Sequence, residues 1–173
     1  MATTYTCIAS NILSTTTATI TFSSISTSYK DLVIKLVARS NEVGAYGTQI
    51  FVRFNGESGT AYSGRSMLGT ATSKSSQSAQ NEAQIKFSYS AGSTVTANTF
   101  SNNEIYIPNY LSNLDKNISI SYAQTSMSSS NYIRGEVAAL ARNTVKPINS
   151  ITLGLLTGDS FVAGSEFYLY GLG

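Results

Sequence analysis

The stretch Leu32-Val-Ile-Lys-Leu-Val-Ala-Arg39 places an apolar side chain at every second position. Its first, third, fifth and seventh residues would face one side of an extended chain, while Lys35 and Arg39 would face the other side. A helix would repeat its apolar positions every three or four residues, so this period of two predicts a half-buried β-strand. We expect this strand to be central to the fold.

The segment 49–55 has the same alternation and is the expected partner of the central strand. Ile50, Val52 and Phe54 form its apolar row. The segment ends at Asn55-Gly56, a pair suited to the positive φ angles of a tight turn. Segments 3–9 and 17–23 alternate in the same way and predict a first pair of strands.

About ten such segments, separated by polar turns, indicate one all-β domain over residues 1–173. The pattern predicts an antiparallel β-sandwich of jelly-roll type. Outward aromatic residues oppose the apolar rows at Tyr106, Tyr168 and Tyr170. The predicted core contains the inward members of the strongest rows: Leu32, Ile34, Leu36, Ile50, Val52, Phe54, Ile105, Ile107, Phe167 and Leu169.

Two segments have less regular patterns. Residues 57–81 are rich in Gly, Ser, Thr and Gln, which predicts a long polar loop; a disordered excursion, or a strand too polar to recognise, is the alternative. Residues 132–142 include a helix-forming run from Glu136 to Arg142. We favour a strand with a bulge at Gly135 over a helix there.

The composition excludes several classes of function. The chain has no histidine, so a Ser-His-Asp triad or a Cys-His pair is impossible. Nothing in the sequence selects a catalytic pair among the nine carboxylates, and no metal or cofactor motif occurs. A net charge of +2 with only 12% charged residues argues against binding nucleic acid. The single cysteine, Cys7, is predicted to be a small, buried and unreactive strand residue. We therefore expect no enzyme activity, cofactor or metal.

Basic and aromatic side chains offer binding surfaces. Lys35, Arg39 and Arg53 could form a modest basic patch, although a solubilising role is the favoured interpretation. The eleven tyrosines could supply a sugar-binding platform or a protein interface, or they could simply pack at strand edges. The absence of tryptophan argues mildly against carbohydrate stacking. The first residues lack the pattern of a signal peptide, and no apolar run is long enough to cross a membrane.

Three stretches together resemble the small virion structural proteins of tailed phages, especially those of cyanobacterial hosts. They are 50–62 (IFVRFNGESGTAY), 98–110 (NTFSNNEIYIPNY) and 161–171 (FVAGSEFYLYG). The resemblance implies a capsid decoration or cement protein. A tail-appendage module that binds a receptor or a glycan is the alternative.

The resemblance implies binding to the major capsid protein on the outer head surface. We also expect a homo-oligomer, and synthesis in the host cytoplasm, because the first residues lack the pattern of a signal peptide. Neither a membrane nor a nucleic acid is an expected partner. We expect the contact to come from segments 57–81 and 109–116, since loops at the end of a sandwich can vary without disturbing its core. The predicted contact residues are Tyr62, Arg65, Met67, Leu68, Tyr110 and Leu111.

Overall fold

The computed structural model describes residues 4–43, 47–69, 73–128, 130–142 and 146–173. These ranges contain twelve β-strands and no helix, so they contain no helix that could span a membrane. The strands are β1 (Tyr5–Ile12), β2 (Thr19–Phe22), β3 (Asp31–Ala38), β4 (Gln49–Phe54), β5 (Tyr62–Gly69), β6 (Lys74–Glu82), β7 (Ile85–Tyr89), β8 (Ser101–Ile107), β9 (Lys116–Ser128), β10 (Ser130–Arg142), β11 (Ile151–Leu155) and β12 (Glu166–Leu172).

The strands form two antiparallel sheets. The large sheet has eight strands in the order β1-β12-β3-β8-β9-β10-β5-β6, and the small sheet has four in the order β2-β11-β4-β7. Buried side chains from both sheets belong to one hydrophobic cluster. The predicted all-β sandwich is therefore confirmed.

Eight of the strands have the topology of a jelly roll. Strands β1, β2, β3 and β4 pair with β12, β11, β8 and β7 respectively, so the pairing is nested from the ends of the chain inward. Along the chain these eight strands alternate between the large and the small sheet, except that β4 and β7 are successive and both lie in the small sheet. This nesting of strand pairs across two sheets is the jelly-roll arrangement.

Two inserted hairpins widen the large sheet. The β5–β6 hairpin lies between β4 and β7 in the sequence, and the β9–β10 hairpin lies between β8 and β11. Strand β9 pairs with β8, and β10, β5 and β6 follow it toward the edge of the sheet. The β5–β6 hairpin therefore forms the edge opposite β1, outside the eight-stranded jelly roll.

The central strand β3 is confirmed as the middle of the core. Ile34 is opposite Leu169 on β12 and Ile105 on β8, and all three point toward the small sheet. All ten predicted core residues are at most 2% exposed. Burying such side chains away from water contributes about 1.5 to 3 kcal/mol each, which makes this row a main source of stability.

Two predicted strand pairs are wrong. Strand β4 does not pair with β3 but lies in the small sheet between β11 and β7. Strands β1 and β2 also lie in different sheets, where they pair with β12 and β11. Alternation predicts which face of a strand is buried, but in a jelly roll that face meets the opposite sheet rather than the next strand along the chain.

The predicted loop over 57–81 is also wrong in its greater part. Residues 62–69 and 74–82 form strands β5 and β6, which is the alternative of a strand too polar to recognise. Residues 57–61 form a loop next to Tyr62, whose hydroxyl accepts a hydrogen bond from the Phe54 backbone N–H at 3.0 Å; residues 70–72 lie outside the described residues. The predicted turn at Asn55-Gly56 is confirmed, since φ is 53° and 69° at these residues.

The ambiguous segment near residue 135 is a strand, as favoured, but it has no bulge at Gly135. Gly135 is opposite Ala123 on β9 and Gly69 on β5, and the register is continuous on both sides. Strand β10 already begins at Ser130, which pairs with Ser128 at the end of β9.

Candidate binding surfaces

The outer face of the large sheet carries four tyrosines on neighbouring strands, which we call the tyrosine face: Tyr5 on β1, Tyr168 and Tyr170 on β12, and Tyr106 on β8. Strand register places Tyr170 and Tyr106 on either side of Val33. Paired residues in antiparallel strands project to the same side of a sheet, so this row points away from the core. The sheet therefore holds these aromatic side chains on one rigid surface.

The tyrosine side chains form a layer over the sheet. Val33 lies on the outward side of β3 but is only 1% exposed, between Tyr170 and Tyr106. The rings of Tyr5 and Tyr170 meet edge to face, with centroids 6.1 Å apart. The rings of Tyr168 and Tyr170 are 6.4 Å apart and tilted by 33°. Tyr5 itself remains 51% exposed, so the layer presents aromatic surface to the solvent.

Carboxylates fix two of the tyrosine hydroxyls. Tyr106 donates to Asp31 at 2.9 Å, and Tyr168 donates to Glu166 at 2.7 Å. The pKa of the Tyr106 hydroxyl is raised, chiefly by desolvation and then by its hydrogen bond to Asp31. The pKa of Tyr168 is raised chiefly by its hydrogen bond to Glu166. Both phenols stay neutral, and these bonds orient their rings.

A shallow polar groove adjoins the tyrosine face. It has a volume of about 430 Å³, and the side chains of Lys35, Asn102, Glu104 and Ser121 line it on β3, β8 and β9. Register places Lys35 directly between Tyr168 and Glu104. The Lys35 ammonium is 3.2 Å from the Glu104 carboxylate and 5.4 Å from the Tyr5 ring centroid. The groove and the tyrosine face therefore form one continuous surface.

The predicted basic patch does not form. Arg53 lies on β4 in the small sheet, so it faces the opposite side of the sandwich from Lys35. The Arg39 guanidinium donates hydrogen bonds to the carbonyl oxygens of residues 93, 95, 96 and 99, at 2.9 to 3.3 Å. Arg39 therefore fastens a loop beside β8 and has a structural role.

The β5–β6 hairpin offers a second surface. Met67 is 67% exposed, Arg65 is exposed and Leu68 is half-buried. Met67, Leu68 and Gly69 line an open depression of about 420 Å³, together with residues 74–76 of β6. Seven of the nine β6 side chains are exposed and two are half-buried. The hairpin therefore presents Arg65, Met67 and Leu68, three of the four predicted contact residues on β5, beside a strand whose side chains are mostly exposed.

Two of the other predicted contact residues, Tyr62 and Tyr110, are buried. Tyr62 is 2% exposed and Tyr110 is 0% exposed, so their side chains are not available to a partner. Tyr62 closes the loop that follows β4, and the Tyr110 hydroxyl donates to the Ser26 carbonyl oxygen. Leu111 is half-buried and packs against the core. For Tyr62 and Tyr110 the role is structural, whereas contact through Leu111 stays a prediction.

Cys7 is exposed, which contradicts the predicted burial. The register of β1 against β12 shifts between Cys7 and Ala9, with Ile8 as the extra residue. Such a bulge reverses the alternation of side chains, so Cys7 faces outward opposite Tyr170. The thiol therefore lies at the border of the tyrosine face.

The described residues contain no group of three metal-ligating side chains. The pKa of the Glu42 carboxyl group is raised, mainly by burial and secondarily by the negative charge of Asp159. Neither residue lines the groove or the hairpin depression. The two binding surfaces are thus separate from the Glu42 and Asp159 carboxylates.

The sequence indicated part of the tyrosine face, because the alternation on β8 and β12 places Tyr106, Tyr168 and Tyr170 outward. It did not indicate that these residues are neighbours, which follows from the pairing of β3 with both strands. Comparison with known proteins adds no family: no family model, no curated protein and no solved structure matches this chain.

Proposed function

We propose that this protein is a non-enzymatic structural protein of a phage virion. In this proposal it decorates the outer surface of the head, where it binds the major capsid protein through the β5–β6 hairpin. The resemblance of the three stretches to small virion proteins supports the virion assignment. The exposed hairpin supports the mode of attachment.

The observation that carries the mode of attachment is the position of the hairpin. It is inserted into a complete jelly roll and forms the outermost edge of the large sheet. Most of its β6 side chains are exposed, so they bury little apolar surface within the chain. An exposed edge strand also offers unpaired backbone groups to a partner. The hairpin is therefore the part of the molecule best placed to bind another protein.

The chemistry of the hairpin suits contact with a folded shell. Met67 and Leu68 supply apolar surface, and methionine is flexible enough to fit an irregular partner. The serine and glutamine side chains of β6 supply hydrogen-bonding groups around them. With only 12% charged residues in the chain, we expect buried area and hydrogen bonds, rather than salt bridges, to hold the complex.

A homo-oligomer would strengthen this attachment. A capsid presents the same surface many times, so an oligomer with several hairpins could bind several shell subunits at once. Weak single contacts then add up, because each further contact forms at a high effective concentration. The proposed attachment points are therefore symmetry axes between capsomers, where one oligomer can bridge several copies of the shell protein.

The proposal is tested by binding to undecorated heads at about 0.1 M and about 1 M salt, where the screening length falls from about 10 Å to about 3 Å. We expect the protein to bind at both salt concentrations. Met67→Ser, alone and with Leu68→Ser, should weaken binding. Ile12→Ser is the matched control, because Ile12 is 60% exposed on the opposite edge of the same sheet.

If only the Ile12→Ser control loses binding to heads, the β1 edge, and not the β5–β6 hairpin, makes the contact with the shell. Failure to bind heads at either salt, together with binding to host cells, would overturn the decoration assignment. The tail-appendage alternative would then replace it.

A further inference from the structure

We propose that the tyrosine face and the adjoining polar groove bind a neutral, hydroxyl-rich saccharide. This site is at the β1 side of the large sheet, away from the β5–β6 hairpin. The inference does not depend on attachment to a capsid. It rests on the rings, the groove and the charges described above.

The aromatic part of the site suits the apolar face of a sugar ring. Tyr168 and Tyr170 lie side by side with a tilt of 33°, and Tyr5 stands edge-on to Tyr170. Tyrosine combines a flat apolar ring with a polar tip, which suits ligands that have both C–H faces and hydroxyl groups. The rings of Tyr168 and Tyr170 therefore form an aromatic surface, and the ring of Tyr5 stands at an angle beside Tyr170.

The groove supplies hydrogen-bonding groups beside these tyrosine rings. Asn102 and Ser121 are exposed, and each can donate and accept hydrogen bonds. Lys35 adds donors and Glu104 adds acceptors within the same 430 Å³ volume. A ligand with a hydroxyl on most of its carbon atoms can use such a mixed set. An apolar ligand would leave these polar groups without partners.

The charges favour a neutral ligand. Lys35 is paired with Glu104 at 3.2 Å, and the remaining charged side chains in these rows are the carboxylates of Asp31 and Glu166. These rows therefore carry one ammonium group and three carboxylates, and Arg39, just past the end of β3, is bound to loop carbonyl oxygens. This balance disfavours a phosphate, a sulfate or an acidic sugar. The groove is also more polar than the buried centre of a typical protein interface.

The site is rigid before any ligand arrives. Hydrogen bonds to Asp31 and Glu166 hold the hydroxyls of Tyr106 and Tyr168, and the paired strands fix the spacing of the rows. A preorganised site loses less conformational entropy on binding. The open shape suits a polysaccharide chain that lies across the sheet.

The test is affinity electrophoresis of the intact protein in native gels that contain dextran, galactomannan, laminarin or arabinan. Polygalacturonate serves as the acidic comparison. We expect at least one neutral polysaccharide to retard the protein. Tyr170→Ser should weaken that retardation about tenfold through the lost ring contact. Asn102→Ala, on an exposed side chain, should weaken it with no change in melting temperature.

Met67→Ser is the control, because it alters the hairpin and leaves the tyrosine face intact. It should keep saccharide binding, while Tyr170→Ser and Asn102→Ala should keep head binding. These two outcomes separate a failure of this inference from a failure of the capsid proposal. If Tyr170→Ser does not fold, the retardation of Asn102→Ala and Tyr5→Ser in the same gels tests the inference in its place. Absence of retardation by every neutral polysaccharide, retardation by polygalacturonate alone, or retardation that these variants leave unchanged would overturn the inference.

Discussion

Gly171 on β12 packs directly against the ring of Tyr29. A Cβ atom at position 171 would come within 2.3 Å of Tyr29 Cγ, which is closer than any real contact. The neighbouring end of the chain is held to the same loop, because the Lys30 N–H donates to the Leu172 carbonyl oxygen at 2.8 Å. The loop before β3 and the last strand therefore fit together only because residue 171 has no side chain.

Gly171→Ala is expected to destabilise the protein by about 1 to 3 kcal/mol, the cost of an added methyl group in a packed site. Gly69→Ala is the matched control, since no atom lies within 4 Å of a Cβ at that position. Urea denaturation measures both. Adding Tyr29→Ala should recover part of the loss in Gly171→Ala. Equal effects of the two glycine substitutions would contradict this packing.

Ile34→Ala is expected to cost about 2 to 5 kcal/mol of unfolding free energy, the range for large-to-small changes in a core. Ile34 is 0% exposed, between Leu169 and Ile105. Ile12→Ala, at a position that is 60% exposed, is the control. A loss below about 0.5 kcal/mol for Ile34→Ala would show that the site is not core.

Cys7 is expected to react rapidly with a thiol reagent in the native protein, because the residue is exposed on an edge strand. Cys7→Ser should leave the melting temperature unchanged and abolish labelling. Since Cys7 is opposite Tyr170, a saccharide bound on the tyrosine face should slow the labelling. If labelling requires denaturant, Cys7 is buried, as the sequence predicted, and the exposed position is wrong.

Stability is expected to fall as the pH rises above about 10, the ordinary tyrosine pKa. The folded protein raises the pKa of Tyr106 and Tyr168, so the unfolded chain loses these protons first. Their stabilising contribution is therefore complete below that pH and is lost as the pH passes the raised values. Tyr106→Phe and Tyr168→Phe should each reduce the fall between about pH 9 and about pH 11, measured by urea denaturation. If the pH dependence of stability is unchanged in both variants, the hydrogen bonds to Asp31 and Glu166 do not raise the pKa values of Tyr106 and Tyr168.

The alternation of side chains was sufficient to predict the fold class and the core. Ile34, Ile105 and Leu169 each belong to a row with a period of two, and this period alone determines which face is buried. It does not determine which strands pair, since any two strands with one apolar face can be neighbours. The positions of β3 and β4 in different sheets therefore could not be predicted in this way.

The remaining errors have local causes. Strand β6 has a single apolar residue, Ala79, because most of its side chains are exposed, so no pattern distinguishes it from a loop. The bulge at Ile8 reverses the alternation of β1 and brings Cys7 to the surface. Tyr62 looks like a surface residue because of its hydroxyl, yet that hydroxyl bonds to backbone groups inside the protein. The tyrosine face forms from strands far apart in the sequence, so only the sheet order brings it together.

The position of the chain on purified virions, determined by electron microscopy, tests the proposed function most directly. The account predicts density for the jelly roll at many equivalent positions over the head, with the β5–β6 hairpin against the shell and the tyrosine face turned outward. Density for the protein at the tail alone would contradict it.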